Sequence, residues 1–339
     1  MKDEQAPIVA RSVVEEPLEA ILIEPPGPPP GPGFWAAMGW TVLLFAVSNG
    51  VVVMATIGAL AMGLSVENMM PVFMLLATAS VFLAAIGLTV LLFGSRARRI
   101  LALRAPSWWQ VAWAILLVAP LSAVLQEIGA WAGEVLPSFM QDTFVEFAKA
   151  PWPLVFIGGC LLPGIGEEVF FRGFTGRGLA ARFGLWIGVP LGALLFAAIH
   201  IDPVQVVGVI GIGLALELIY LATKSLLVPI LLHMLNNTLS FAQTKYGVFA
   251  EIDHVPPALV AAGALALVPL AMLIYQSRSR WILPDGSPWS PGYLTAESPP
   301  ANLDAQCRVA SPAILWLGAT LVAYGLFLAV LVWAVRTSG

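Results

Sequence analysis

The sequence predicts an all-α fold, a polytopic transmembrane bundle of eight or nine helices. Of its 339 residues, 59% are hydrophobic and only 11% are charged, whereas roughly a quarter of the residues in soluble proteins are charged. Several stretches approach the about 20 apolar residues that a bilayer core requires, and they lack the two-residue alternation of half-buried strands. The composition excludes a soluble enzyme and a disordered protein, and 16 basic against 20 acidic residues exclude a nucleic-acid partner.

Residues 1–33 form an acidic and proline-rich segment ahead of the first apolar stretch. They end in IEPPGPPPGPG, in which the prolines prevent a helix. We expect this tail to be disordered. A cleavable signal peptide would begin with a short basic region, so the acidic tail predicts that none is present.

Nine apolar stretches follow and are predicted to be helices by their length and periodicity. They are Phe34–Leu64, Pro71–Phe93, Trp109–Gly133, Trp152–Ile165, Gly184–Ile201, Val204–Thr223, Leu226–Phe241, Pro257–Tyr275 and Pro312–Val335. The fourth to seventh are short and closely spaced, so some of them need not span the bilayer. We therefore divide the chain into N-terminal helices at 34–133, a core at 151–243 and C-terminal helices at 256–339, with a polar loop at 278–311.

Arginines between the stretches predict the orientation in the membrane. They cluster after the second, fourth and eighth stretches, at Arg96, Arg98, Arg99 and Arg104, at Arg172, Arg177 and Arg182, and at Arg278 and Arg280. Because lysine and arginine favour cytoplasmic loops, we expect the N-terminus and these three segments in the cytoplasm. The chain would then be an integral, multi-pass protein of a bacterial inner membrane.

Five ionisable residues within or beside the apolar stretches indicate where chemistry takes place. They are Glu167, Glu168, His200, Glu217 and His233. Each costs several kcal/mol at membrane depth, so each is a functional candidate. Two roles have equal weight for Glu217. One is a carboxyl that binds substrate or acts as a second proton site, and the other is a polar group whose hydrogen bonds are satisfied inside the bundle.

Two neighbouring glutamates are predicted to have different roles. Glu168 and Arg172 are four residues apart on one helix face, in an order that favours an ion pair. Glu167 points about 100° away and has no local cation. A partly desolvated carboxylate without a cation suits a general base. The alternative is that both glutamates only bind arginines at a helix end.

Two histidine motifs complete the candidate site. His233 and Asn237 share a helix face and offer donors that would stabilise an oxyanion, while Phe196 lies one turn before His200 and is expected to fix its imidazole by packing. Glu167, His200 and His233 are also the ligand types of a hydrolytic zinc site, but no HExxH helix is present. The residues therefore leave a zinc site and a metal-free, Glu167- and His200-activated water both open. We favour a site without an obligatory metal.

The EExxxR of Glu167, Glu168 and Arg172, the FxxxH of Phe196 and His200, and the HxxxN of His233 and Asn237 occur in one order. In this they resemble the CPBP family (CAAX proteases and bacteriocin-processing enzymes, also called Abi), which includes the prenyl-protein endopeptidase Rce1. The resemblance covers residues 161–238, about a quarter of the chain.

The resemblance implies an intramembrane endopeptidase, described in the family both as a metalloprotease and as a glutamate protease. It implies that Glu167 and His200 activate the attacking water and that His233 and Asn237 form the oxyanion hole. Glu168 and Arg172 would support them. The expected partners are the lipid bilayer and a membrane-associated protein or peptide substrate.

Two further function classes remain open on the sequence. One is a non-catalytic scaffold or bacteriocin-immunity protein that kept the fold. The other is a proton-coupled transporter that uses the buried carboxyls and histidines as a relay. The sequence shows no internal repeat, which weighs against the transporter.

Overall fold

A computed structural model describes residues 31–249 and 253–337 of the chain. The predicted disordered tail therefore lies outside the described residues, apart from its last three. The all-α prediction is confirmed. The main helices are α1 (Phe34–Ala61), α2 (Val66–Phe93), α3 (Trp108–Val135), α4 (Gln141–Lys149), α5 (Trp152–Ala198), α6 (Pro203–Thr223), α7 (Leu227–Tyr246), α8 (Pro257–Gln276) and α9 (Ile314–Thr337).

Among the described helices, seven are long and apolar enough to cross a bilayer, namely all of those above except α4 and α7. The protein is therefore an integral, multi-pass membrane protein. The sequence did not predict α4, a nine-residue helix. It is too short to span, and its apolar side chains Phe144 and Phe147 pack against Phe241 of α7.

Helix α5 is a hairpin of two antiparallel limbs. The chain reverses at Gly184, whose φ of +70° and ψ of −168° only glycine adopts without strain. Beyond the reversal, a Cβ placed on Gly192 would lie 3.4 Å from the Cα of Gly176, so the limbs pack side by side. The predicted stretch 152–165 is thus the start of a longer first limb, and the stretch 184–201 corresponds to the second.

The hydrophobic core lies between α3, α5, α6 and α7. Its largest fully buried side chains include Phe171, Phe196, Leu216, Tyr220 and Leu232. Helices α1, α2 and α9 instead bury only about a tenth of the residues in their most apolar segments. This distribution is the one expected of lipid-facing helices around a packed interior.

The predicted polar loop at 278–311 contains a folded hairpin. Strands β1 (Ser279–Ile282) and β2 (Gln306–Val309) pair antiparallel, with Ser279 opposite Val309. Between them the carboxylate of Glu297 is buried and accepts from Arg177 Nη2 at 2.7 Å. The backbone carbonyl of Thr295 accepts from Lys224 Nζ at 2.9 Å. We call this insert the end cap, because it covers the arginine-rich end of the bundle.

Candidate active site

The two glutamates lie midway along the first limb of α5. Their helical turn, Leu162–Phe170, is flanked by the wider π-helical turns Phe156–Leu161 and Phe171–Thr175. Such turns are rare and occur frequently at functional sites. A Cβ on Gly166 would lie 2.7 Å from the Cα of Phe82, so only glycine lets α2 approach the turn so closely. Both carboxylates are buried.

Glu168 links the first limb of α5 to α7. Its Oε1 accepts from Arg172 Nη1 at 2.9 Å and lies 2.8 Å from His233 Nδ1. A carboxylate paired with a guanidinium is a strong hydrogen-bond acceptor, and an N–H on Nδ1 of His233 is the donor that suits it. With Nδ1 directed at Glu168, Nε2 of His233 faces away from Glu168.

Arg172 is fully buried and contacts both α6 and the second limb of α5. Its Nη2 donates to the backbone carbonyl of Gly213 on α6 at 2.9 Å. Its Cζ lies 4.2 Å from the centroid of the Phe196 ring, a cation–π distance. Its Nε is 3.7 Å from Glu217 Oε2, longer than a hydrogen bond. The arginine thus holds the two limbs of α5 against α6.

Phe196 brings the two histidines to one place. The centroids of the His200 and His233 rings lie 5.6 Å and 5.7 Å from that of Phe196, both edge-on to it. The sequence predicted a helix through position 201, but α5 ends at Ala198 and His200 lies in the turn that follows. The helix ends there because Ile201 takes a left-handed φ of +59°.

Glu167 faces the open side of His233. Its Oε2 is 4.0 Å from His233 Nε2, too long for a direct hydrogen bond and close enough for one oxygen atom to bridge. Across residues 31–249 and 253–337, neither Glu167 Oε2 nor His200 Nδ1 has a hydrogen-bond partner, although both are buried. Buried polar atoms normally have such a partner, so these two are available to a ligand.

Asn237 lies one helical turn beyond His233, at the border of this cluster. Its Nδ2 donates to the carbonyl of Gly159 at 3.0 Å, in the first π-helical turn of α5. Within the described part of the chain, no hydrogen bond joins it to the other six predicted site residues. The structure thus gathers Glu167, Glu168, Arg172, Phe196, His200 and His233 in one cluster and places Asn237 beside it.

Sequence reasoning missed two groups near the cluster. One is the Gly213 carbonyl that accepts from Arg172; a backbone acceptor leaves no signal in the sequence. The other is Asp202, two residues after His200, whose carboxylate caps α6. An aspartate before a proline is a readable helix start, so this residue had a signal.

A zinc ion is the cofactor that the family resemblance implies. The donor types of Glu167, His200 and His233 suit it, and Glu168 orients His233 as carboxylates orient metal-bound histidines. In the described residues, however, no three His, Cys, Asp or Glu side chains are arranged to hold a metal ion. The geometry therefore does not fit a three-ligand zinc site.

Comparison with known proteins agrees with the motifs. Residues 149–239 match a family model described as type II CAAX prenyl endopeptidase, Rce1-like. Searches of the curated proteins and of the solved structures found no significant match. The matched segment begins before α5, ends in α7 and contains all seven predicted site residues. Within residues 149–239 the chain is therefore similar to the Rce1-like CAAX proteases, a match that supports membership of the CPBP family and, in general, a CAAX-protease-like membrane endopeptidase.

Proposed function

We propose that the protein hydrolyses a peptide bond of a membrane-associated protein or peptide, with Glu167 as the general base. One observation carries this proposal: the buried Oε2 of Glu167 has no hydrogen-bond partner in the described residues and lies 4.0 Å from His233 Nε2. A water held by Glu167 Oε2 would give a proton to Glu167 and attack the carbonyl carbon. When the carbon–nitrogen bond breaks, Glu167 returns this proton to the leaving amine.

His200 and His233 have separate tasks in this proposal. His200 is proposed to share the attacking water with Glu167 through Nδ1, which has no hydrogen-bond partner in the described residues, and its ring packs edge-on against Phe196. His233 stabilises the oxyanion through Nε2. Because its Nδ1 hydrogen is committed to Glu168, Nε2 donates only when the ring is an imidazolium. The carboxylates of Glu168, 2.8 Å from Nδ1, and of Glu167, 4.0 Å from Nε2, lie on its two sides.

Asn237 is proposed as the second oxyanion donor. Its amide nitrogen carries two hydrogens, and only one is used by the Gly159 carbonyl. The hydrogen bond to Gly159 fixes the plane of the Asn237 amide. Because both hydrogens of Nδ2 lie in that plane, the direction of the second hydrogen is fixed as well. Preorganised donors of this kind lower the barrier of acyl transfer without reorganisation during the reaction.

The test is hydrolysis by purified protein in liposomes of a peptide mixture in ¹⁸O-labelled water. We expect the wild type to produce new carboxyl termini that contain ¹⁸O, and Glu167→Gln to produce none. Glu67→Gln, the same exchange at an exposed position in α2, is the matched control and should retain activity. A wild type that binds peptides without cleaving them would favour a scaffold, and proton-coupled uptake without cleavage would favour a transporter.

A further inference from the structure

The turn that carries His200 is strained. Ile201 has a φ of +59°, a conformation that β-branched residues rarely adopt and that persists only where the surroundings enforce it. The backbone N–H of Asp202 donates to the His200 carbonyl at 2.6 Å, and the N–H of His200 donates to Ala197. The isoleucine side chain is mostly exposed, so its own packing does not impose this backbone.

The group that holds the turn is the carboxylate of Asp202, which is fully buried. Its Oδ1 accepts from the N–H of Gln205 at 3.0 Å and caps α6. Its Oδ2 accepts from Ser138 Oγ and Met140 N, both at 2.9 Å, and from Phe139 N. Three of its four hydrogen bonds thus reach the connection between α3 and α4, more than 60 residues earlier in the chain.

We propose that Asp202 is a positioning residue for His200, and that its hydrogen bonds to residues 138–140 anchor the turn that carries His200. This inference rests on the proposed function, since it assumes that His200 acts on the attacking water. A cap for α6 needs only the bond to Gln205. The three bonds to residues 138–140 add nothing to that cap, but they fix where the turn lies relative to α3 and α4.

The charge of Asp202 persists through the working pH range. Burial raises the pKa of its carboxyl, but the hydrogen bonds from Gln205, Met140, Phe139 and Ser138 outweigh burial and lower it to about 2. The carboxylate is therefore ionised at any pH at which peptide cleavage would be measured. Its hydrogen bonds to the backbone are the stronger, charge-assisted kind.

Asp202→Ser separates the two tasks of this side chain. Serine is a good helix N-cap, but it is one atom shorter and has a single oxygen, so it keeps the bond to Gln205 and loses those to residues 138–140. Gln205→Ala is the matched control, because only the backbone of Gln205 takes part. Amide hydrogen exchange should show faster exchange at Phe139 and Met140 in Asp202→Ser and no change in the control.

The kinetic measurement compares both variants on one peptide that the wild type cleaves. We expect kcat of Asp202→Ser to fall about 10- to 100-fold, the effect of misplacing a catalytic group by roughly 1 Å. KM should stay within about twofold, and Gln205→Ala should match the wild type. Because a smaller folded fraction also lowers the apparent kcat at constant KM, kcat is calculated per folded protein, determined from the unfolding curve of each variant. A structural role alone would lower the melting temperature and leave this corrected kcat at the wild-type value.

The outcomes distinguish this inference from the proposed function. Suppose that the wild type cleaves and Glu167→Gln does not, while Asp202→Ser keeps the wild-type kcat despite faster exchange at Phe139 and Met140. Asp202 then does not position His200, and the endopeptidase proposal stands. If Phe139 and Met140 exchange at the wild-type rate in Asp202→Ser, the hydrogen bonds from their backbone to Asp202 do not hold the turn, and the inference fails. If the wild type cleaves nothing, the proposed function fails and this role for His200 fails with it.

Discussion

One oxygen atom of Glu168 binds both Arg172, at 2.9 Å, and His233, at 2.8 Å. The arginine and the carboxylate form a buried ion pair, and the same oxygen contacts Nδ1 of the histidine. Arg172 is therefore linked to His233 through one shared atom without touching it.

Removing Arg172 should destabilise the protein. In Arg172→Ala, the buried carboxyls of Glu168 and Glu217 lose their arginine partner, and breaking a buried ion pair costs about 3–5 kcal/mol. We expect a large fall in the thermal midpoint in detergent together with loss of cleavage. Arg308→Ala, at an exposed position in β2, serves as the control. An Arg172→Ala variant as stable as the parent would show that the ion pair does not hold the core.

Gly166 should not tolerate even one additional carbon. The Cβ of Gly166→Ala would meet the backbone of Phe82 at 2.7 Å, so α2 must move or α5 must bend, at a cost of about 1–3 kcal/mol. Gly129→Ala in α3 is the control, because a Cβ there meets nothing within 4 Å. Thermal unfolding of the two variants in the same detergent tests this, and equal midpoints would contradict the close packing.

His254 should stabilise the fold at acidic pH. The pKa of His254 is raised by its hydrogen bond to Glu127, which lies 3.0 Å from Nδ1, and further by Glu134, which lies 2.8 Å from Nε2. A raised folded-state pKa means that the stabilisation is complete below the unfolded value of about 6.5 and is lost as the pH rises through the folded value.

The test is the difference in thermal midpoint between the wild type and His254→Gln. We expect it to be larger at pH 5.5 than at pH 9. Lys149→Gln, which removes an exposed charge in α4, should give a difference that changes little over this range. If the difference in thermal midpoint between the wild type and His254→Gln increased with pH, it would contradict a raised pKa of His254 in the folded protein.

Cleavage should survive the removal of metal ions. We expect protein treated with a strong chelator and dialysed to retain its kcat, because the proposed base is the Glu167 carboxylate itself. Elemental analysis of the same sample provides the check that zinc was removed. Complete loss of cleavage, reversed by one equivalent of zinc, would show that Glu167, His200 and His233 rearrange around a metal.

The sequence predicted local relationships well and long-range ones only through motifs. The contact between Glu168 and Arg172 follows from their spacing on a helix. No periodicity connects Glu168 to His233, 65 positions later; only the resemblance to a family suggested that they meet. The reversal at Gly184 was placed at a predicted boundary, but its sharpness depends on a backbone conformation that composition does not encode.

Short elements were missed for a physical reason. Strands β1 and β2 have four residues each, and segments this short carry too little pattern to be distinguished from loop. Helix α4 is amphipathic, but it lies between longer apolar stretches that dominate the hydropathy. The role of Asp202 depends on residues 138–140, a contact that only the folded chain reveals.

The reversal at Gly184 also bears on how the site assembles during synthesis. Five of the six clustered residues, from Glu167 to His200, belong to α5 or to the turn that follows it, and His233 alone comes from α7. Because the two limbs of a helical hairpin pack against each other through local contacts, most of the site can form before α7 leaves the ribosome. The bond between His233 and Glu168 is then the step that converts an inserted hairpin into a complete site.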